Sequence, residues 1–200
     1  MSPLVALDVA ILLPPQVREV AIALSGSLPA SQSKGLRLGD DRLPHITLTQ
    51  QFVRRHELET CLTRVADVLA THQPLRLRVT GGGRGSSSVW MEIERHDGLV
   101  NLHERLMGEL APFECHPGEA AAFCERSVRV GDVRWVSAYR RNAAFGAFTP
   151  HVTLGHGTRP PEVEPATFEA TTIAACHLGR FCSCRRVLRS WTLVAEPADS

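Results

Sequence analysis

Two nearly identical five-residue stretches contain the side chains best suited to chemistry. Residues 44–48 read PHITL and residues 150–154 read PHVTL, with 106 positions between equivalent residues. In a β-strand, alternate side chains share a face, so His and Thr would lie together and the two apolar residues would face the other way. One His-x-Thr pair is usually a coincidence. Its repetition, each time directly after Pro, favours a functional site.

His45 and His151 are suited to act as an acid–base pair on a phosphate group. Imidazole titrates near neutral pH, so a neutral ring can accept a proton from water while a protonated ring gives one to a departing alkoxide. The hydroxyls of Thr47 and Thr153 could donate hydrogen bonds to the non-bridging phosphate oxygens. This chemistry requires no metal ion and no cofactor. We therefore predict His45 and His151 as catalytic residues and Thr47 and Thr153 as phosphate-binding residues.

Alternating strands and helices must position these two motifs. Apolar patterning predicts strands over 4–13, 44–53, 75–80, 89–94, 149–155, 168–177 and 186–194, and helices over 16–28, 56–71 and 98–110. Residues 132–141 fit a short helix or a strand, and residues 112–131 fit a lid, an insertion or a plain loop. The third and fourth strands, and the last two, are predicted hairpins and therefore antiparallel. The fold class is then α+β rather than a doubly wound parallel sheet.

The composition is that of an ordinary soluble globular protein. The chain has 200 residues, 44% of them hydrophobic and 22% charged, which suits one domain over 1–200 or two lobes sharing a cleft. A net charge of +1 argues against a duplex nucleic-acid footprint, though not against a small phosphorylated ligand. The apolar N-terminal stretch contains Asp8, lacks a basic leader and is too short to span a bilayer. We expect a cytoplasmic monomer with no membrane association, in which most of the six cysteines are buried thiols.

The two motifs resemble the signature of the 2H phosphoesterase superfamily, which includes bacterial RNA 2′,3′-cyclic phosphodiesterases and 2′-5′ RNA ligases. That signature is a pair of His-x-Thr/Ser-x motifs, matched here by HITL at 45–48 and HVTL at 151–154. The VWMEI strand, the Phe-Thr-Pro run before the second motif and the closing RRVLRSWTL strand extend the resemblance over most of the chain. It implies a bilobal, duplicated fold, with two mainly antiparallel β-sheets lining a central cleft and helices packed outside.

The resemblance also implies an activity and a substrate class. It implies metal-independent hydrolysis of a 2′,3′-cyclic phosphate, on an RNA end or a nucleotide, by His45 and His151, and it leaves room for a reversible 2′-5′ RNA ligase activity. The expected partner is therefore a small nucleotide or an RNA-terminal cyclic phosphate.

The chain departs from its relatives in two places that bear on substrate binding. Many relatives follow the second motif with an Arg, where this chain has Gly155-His156. Strict alternation turns His156 away from the catalytic face unless Gly155 permits a β-bulge. Relatives often carry an aromatic residue before the central hairpin turn, where this chain has a glycine-rich connector, GGGRG at 81–85, whose backbone could instead cradle phosphate. His156, Arg84 and Arg141 are further candidates for substrate binding.

Two other functions also fit the sequence. The pocket could bind a phosphorylated nucleotide or RNA end without cleaving it. A zinc-dependent hydrolase could instead use the cysteines and histidines outside the motifs, although their spacings match no trusted zinc pattern. Those residues are Cys115, His116, Cys124, Cys176, His177, Cys182 and Cys184.

Overall fold

A computed structural model of the chain, which describes residues 2–195, contains two four-stranded antiparallel β-sheets and four α-helices. The strands are β1 (Leu4–Leu12), β2 (His45–Arg54), β3 (Leu75–Arg84), β4 (Ser88–Ile93), β5 (His151–His156), β6 (Ala166–Ala170), β7 (Thr172–Leu178) and β8 (Cys184–Thr192). The helices are α1 (Pro15–Ser27), α2 (Leu58–Leu69), α3 (Asp97–Glu109) and α4 (Val130–Ala143). The predicted α+β class is confirmed, and the three predicted helices agree with α1, α2 and α3 to within two residues at each end.

Each sheet combines strands from both halves of the sequence. The first sheet has the order β2-β1-β7-β8, and the second has the order β5-β4-β3-β6. The single strand predicted over 168–177 is wrong, because the chain passes from the second sheet to the first at residue 171 and divides the segment into β6 and β7. The prediction that the last two strands form an antiparallel hairpin is confirmed by the β7–β8 pair.

The two motif strands, β2 and β5, are the edge strands of their sheets and pack against each other. The apolar residues of the two motifs, which are Ile46, Leu48, Val152 and Leu154, are completely buried in one shared core. Burying such a side chain is worth about 1.5–3 kcal/mol. A one-residue slip would turn these four side chains out of the core, so burial fixes which face of each strand presents His and Thr.

The segment that fits either a helix or a strand in the sequence is helix α4. It packs against β2, and it forms one wall of the space between the sheets. Arg140 and Arg141 lie in its last turn, where basic side chains complement the helix dipole. Arg140 also donates to the backbone oxygen of Met107 (2.7 Å) and pairs with Glu114.

Residues 112–131 form a packed cover on the first sheet. Cys115, Ala122 and Phe123 are buried against Phe52 of β2, and the two phenylalanine rings meet edge to face at 5.8 Å. Up to the start of α4 at Val130, the segment is irregular apart from short 3₁₀ turns. The structure therefore shows a segment packed against the sheet, which does not fit the lid that the sequence also allowed.

The glycine-rich stretch belongs mostly to β3, which continues to Arg84. The prediction of a connector starting at Gly81 is therefore wrong. Gly83 lies opposite Trp90 of β4, and a Cβ atom at Gly83 would be 2.1 Å from the indole Nε1. The glycine thus makes room for the Trp90 indole to lie across the strand.

None of the helices within residues 2–195 combines the length and the apolar character needed to cross a bilayer.

His103 of α3 links β2 to the segment that precedes β5. Its Nδ1–H donates to the backbone oxygen of Leu48 (2.6 Å), and its Nε2 accepts from the backbone N–H of Phe145 (2.9 Å). The ring also stacks on Phe148, with centroids 3.9 Å apart, just before the second motif. Burial lowers the pKa of His103, so it is a neutral structural residue.

We predict that His103→Phe lowers the free energy of unfolding at pH 8 by about 2 kcal/mol, because stacking is kept while one buried and one partly buried backbone group lose their partner. Urea denaturation measures the change, and His56→Gln, at an exposed position, is the control. Because protonation of His103 disfavours the fold, its stabilising effect is fully present above the ordinary histidine pKa of 6.5 and is lost as the pH falls below that value. Equal stability of H103F and the wild type would contradict this role.

Candidate active site

A cleft of about 890 Å³ lies where the two motif strands meet α4. His45 and Thr47 of β2 line it, and so do His151 and Thr153 of β5. Alternation along each strand explains this placement, since the neighbouring apolar residues are buried behind them. The structure therefore brings all four predicted residues to one cleft, although they come from two different sheets.

Both motif histidines are held by the same backbone contact. His45 Nδ1 lies 2.7 Å from the backbone oxygen of Leu43, and His151 Nδ1 lies 2.8 Å from that of Thr149. A carbonyl oxygen can only accept, so Nδ1 carries the hydrogen in both rings. Each Nε2 is then the atom left to exchange a proton, which is the geometry that general acid–base chemistry needs.

A β-bulge follows the Thr of each motif at the same position. Leu48 in β2 and Leu154 in β5 are the extra residues where the register against the neighbouring strand shifts. The bulge resets the alternation, so the residue five positions after each His returns to the cleft face. These residues are Gln50 and His156, and both line the cleft. Strict alternation would have turned His156 away from the cleft, but the bulge interrupts that alternation, which is the exception that the sequence allowed at Gly155.

Gly155 makes the second bulge possible. Its φ of +151° is a backbone conformation that favours glycine, and a Cβ atom there would lie 2.9 Å from Leu28 Cδ1. The bulge leaves His156 with its Nδ1–H donated to the backbone oxygen of Ser33 (3.1 Å) and its ring 5.2 Å from that of Phe181. Burial lowers the pKa of His156, so a neutral imidazole stands where many relatives have a cation.

Asp8 is a site residue that the sequence reasoning missed. It lies on β1, is completely buried, and its Oδ2 is 3.7 Å from His45 Nε2. The same oxygen accepts from the Thr47 hydroxyl (2.9 Å) and from Gln50 Nε2 (2.7 Å). Gln50 in turn accepts at Oε1 from Trp135 Nε1 of α4 (3.0 Å). The sequence feature that could have indicated this residue is a single acidic side chain inside the otherwise apolar strand β1.

His151 has a different environment. The Trp90 indole lies beside it, with ring centroids 5.2 Å apart. Burial is the main cause that lowers the pKa of His151, and the nearby charge of His45 lowers it further. The two imidazoles thus share a backbone contact but differ in their neighbours, a carboxylate for His45 and an indole for His151.

Neither Arg84 nor Arg141, the two arginine candidates, lines the cleft. Arg84 donates to the backbone oxygen of Thr158 (2.5 Å), and Arg141 contacts Asn142 (3.2 Å) on an exposed face. Within the described residues, Arg129 is the one arginine or lysine that lines the cleft. It comes from the residue before α4, a position with no sequence motif to mark it.

The Arg129 guanidinium lies 4.0 Å from the ring centroid of Phe181 and pairs with the buried carboxylate of Asp132. Asp132 also accepts from the backbone N–H of Phe181 (3.1 Å). These contacts fix the orientation of the arginine and offset much of its charge. The cleft consequently offers a substrate one neutralised cation and three imidazoles rather than a strongly positive surface.

The possible metal ligands do not form a convincing zinc site. Across residues 2–195, one group of three is close enough to share an ion: Asp8, His45 and Cys184, whose ligand atoms all lie within 4.8 Å of one another. Burial raises the pKa of the Cys184 thiol well above its usual value, and Asp8 Oδ2 already accepts two hydrogen bonds. A protonated thiol and an engaged carboxylate suit zinc poorly. The remaining cysteines and histidines of the zinc alternative form no such group in this part of the chain.

Comparison with known families decides the relationship. The family model of the 2′-5′ RNA ligase superfamily matches residues 15–180. The chain belongs to this superfamily. The resemblance to 2H phosphoesterases in the sequence is thereby confirmed. No curated protein sequence matches the chain.

Several solved structures share the fold. E. coli LigT complexed with 3′-AMP superposes with a TM-score of 0.66 at 19% identity, covering 96% of this chain and 99% of LigT. TT0787 of Thermus thermophilus gives a TM-score of 0.62 at 21% identity, covering 96% and 100% of the two chains. A third structure, described as a phosphoesterase, gives 0.58 at 19% identity, covering 97% and 100%. LigT has also been solved with NADP+ and with ATP.

We predict that Gly155→Ala destabilises the protein by about 1–3 kcal/mol, because alanine must adopt a positive φ and its Cβ meets Leu28. Thermal denaturation measures the change. Gly26→Ala is the control, since a Cβ there meets nothing within 4 Å and the position is helical. The control should be neutral or stabilising by up to about 1 kcal/mol. A G155A protein as stable as the wild type would show that the bulge does not depend on glycine.

Proposed function

We propose that this protein is a phosphodiesterase that opens a 2′,3′-cyclic phosphate on a nucleotide or an RNA end. The observation that carries the proposal is the pair of imidazoles in one cleft, each with its Nδ1–H bound to a backbone oxygen and its Nε2 left to exchange a proton. One ring accepts a proton from the attacking water, and the other gives a proton to the departing ribose oxygen. Membership of the 2′-5′ RNA ligase superfamily supports this reaction class.

The two threonines are proposed to bind the phosphate unequally. Within the described residues, the Thr153 hydroxyl has no hydrogen-bond partner, so it is free to donate to a non-bridging oxygen. The Thr47 hydroxyl donates to Asp8, so it reaches phosphate as a donor only by leaving that carboxylate. We therefore expect Thr153 to contribute more than Thr47 to stabilising the developing charge.

The size and lining of the cleft suit one nucleotide. Its volume of about 890 Å³ falls within the range of typical small-ligand pockets, about 300–1,000 Å³. Trp90 of β4 and Trp135 of α4 add aromatic surface to the cleft, and Arg129 offers the one guanidinium that lines it among the described residues. LigT, which shares the fold, has been solved with 3′-AMP, ATP and NADP+, which supports a nucleotide or the terminal nucleotide of an RNA as ligand. Joining of RNA ends through a 2′-5′ bond would be the same ring opening, with a 5′-hydroxyl in place of water attacking phosphorus and the bond between phosphorus and O3′ breaking.

A second candidate function is binding of a phosphorylated nucleotide without cleavage. The neutral His156 in place of the usual arginine, and the engaged Thr47 hydroxyl, favour this alternative because both weaken phosphate stabilisation. Incubation with cyclic-phosphate-ended oligonucleotides and mononucleotides, with product analysis, separates the two. Turnover supports the phosphodiesterase, and tight binding without turnover supports the binding protein.

We predict that His45→Ala and His151→Ala each lower kcat by about 10²–10⁴-fold while the protein stays folded, because each removes one proton transfer. The double variant should be little worse than either single variant, since the two groups act in one step. His56→Ala, at an exposed position outside the cleft, is the matched control and should keep full activity. Full turnover by the H45A/H151A protein would rule out the mechanism.

Activity should survive prolonged treatment with EDTA, because side chains supply both proton transfers. The measurement is the hydrolysis rate before and after chelation, together with metal analysis of the purified protein. Loss of activity that a divalent ion restores would instead support the zinc-dependent alternative.

A further inference from the structure

We propose that Asp8 is a positioning residue of this site, whose buried carboxylate is the counter-charge of His45 and makes that ring the proton donor. The inference rests on the proposed phosphodiesterase function. Asp8 lies one strand behind the motif, on β1, and does not itself line the cleft, although it contacts Thr47 and Gln50, which do. It would act through His45 rather than by touching the substrate.

Register explains why Asp8 lies under the first motif. On β1, Asp8 is opposite Gln50 and Ala10 is opposite Thr47, so these side chains share one face of the sheet. The bulge at Leu48 is what brings Gln50 onto that face beside Thr47. Without it, the Asp8 carboxylate would meet one of these two polar side chains instead of both.

The carboxylate has an incomplete set of partners. Oδ2 accepts from Thr47 and Gln50 and lies 3.7 Å from His45 Nε2. Oδ1 is buried and has no hydrogen-bond partner among the described residues. A buried carboxylate satisfied by only two neutral donors is costly unless a positive charge is close.

His45 is the group that can supply this charge. The other titratable groups facing Asp8 are Tyr139 from α4, Cys182 from the turn before β8, Cys184 from β8 and, across the strand pair, Cys176 from β7. None of these can become cationic. Burial raises the pKa of Asp8, and the charge of His45 is the first of the interactions that oppose this, ahead of Gln50 and Thr47. Ionised Asp8 and protonated His45 therefore stabilise each other.

The second motif has no such carboxylate. The position beside His151 is taken by the Trp90 indole, and Glu92, its cross-strand neighbour, is exposed and forms no ion pair within the described part of the chain. Burial favours the neutral form of His151 by lowering its pKa. The two sheets thus give equivalent histidines different neighbours, a buried carboxylate for His45 and an indole for His151.

This difference between the surroundings of His45 and His151 assigns the two proton transfers. His151 Nε2 takes a proton from water as the water oxygen bonds to phosphorus. The bond between phosphorus and one ribose oxygen breaks, the electron pair stays on that oxygen, and His45 Nε2 gives it a proton. His151 is then protonated and His45 neutral, and exchange with solvent restores both, while Asp8 remains ionised. The ribose consequently lies on the β2 side of the cleft, near Gln50 and Trp135.

Asp8→Asn tests the inference, because asparagine keeps the size and an acceptor oxygen for Thr47 and Gln50 but removes the charge. We expect kcat/KM to fall by roughly 10-fold or more at pH 8, with the alkaline limb of its pH profile moved to lower pH. In the H45A background, D8N should have almost no further effect, because Asp8 acts through His45. Thr49→Val is the matched control: this β2 residue is buried, its hydroxyl has no partner among the described residues, and it does not line the cleft.

The outcomes distinguish this inference from the proposed function. An unchanged pH profile in D8N, or a D8N effect of full size in the H45A background, would overturn the role of Asp8 even though the wild type turns over cyclic phosphate. Absence of turnover by the wild type would instead overturn the proposed function. The wild type alone provides a second readout. Nitrogen-15 NMR at neutral pH should show Nε2 protonated in His45 and unprotonated in His151, and the reverse pattern would also overturn the inference.

Discussion

One backbone hydrogen bond, made twice, organises this site. Each motif histidine donates its Nδ1–H to the carbonyl oxygen two residues earlier, across an intervening proline. Proline fixes its own φ and restrains the preceding residue to an extended conformation, which holds that carbonyl oxygen within reach of the ring. The bond sets the tautomer and leaves Nε2 toward the cleft. The edge position of β2 and β5 then brings the two rings together from separate sheets.

The two motif strands share geometry and differ in the chemistry of their surroundings. Both motif strands carry a bulge at the Leu after the Thr, so Gln50 and His156 occupy equivalent places on the cleft wall. Behind the first motif the neighbouring strand contributes Asp8, and behind the second it contributes Trp90. A symmetric scaffold can place two imidazoles around one phosphate, but proton donation and acceptance need different surroundings. Asp8 behind the first motif and Trp90 behind the second provide these different surroundings.

Periodicity was sufficient to predict helices α1, α2 and α3, the motif strands and the four polar residues at the cleft, because burial of Ile46 and Val152 with their neighbours leaves one orientation for each strand. It did not decide between a helix and a strand for the segment that forms α4. It could not predict that β6 and β7 enter different sheets, since that depends on long-range pairing. Asp8 and Arg129 could not be predicted as site residues for a related reason. Asp8 reaches His45 from a neighbouring strand, and Arg129 enters the cleft beside a helix. No local spacing encodes either contact.

The most direct test of this account is a crystal structure of the protein with a nucleoside 2′,3′-cyclic phosphate analogue that resists hydrolysis. The account predicts one phosphate group between the two rings, with Nε2 of His45 and Nε2 of His151 each within about 2.7–3.2 Å of its oxygens. It also predicts that the ribose lies toward β2. A phosphate bound elsewhere in the cleft, or in contact with one imidazole alone, would contradict the claim that the two histidines serve a single anion.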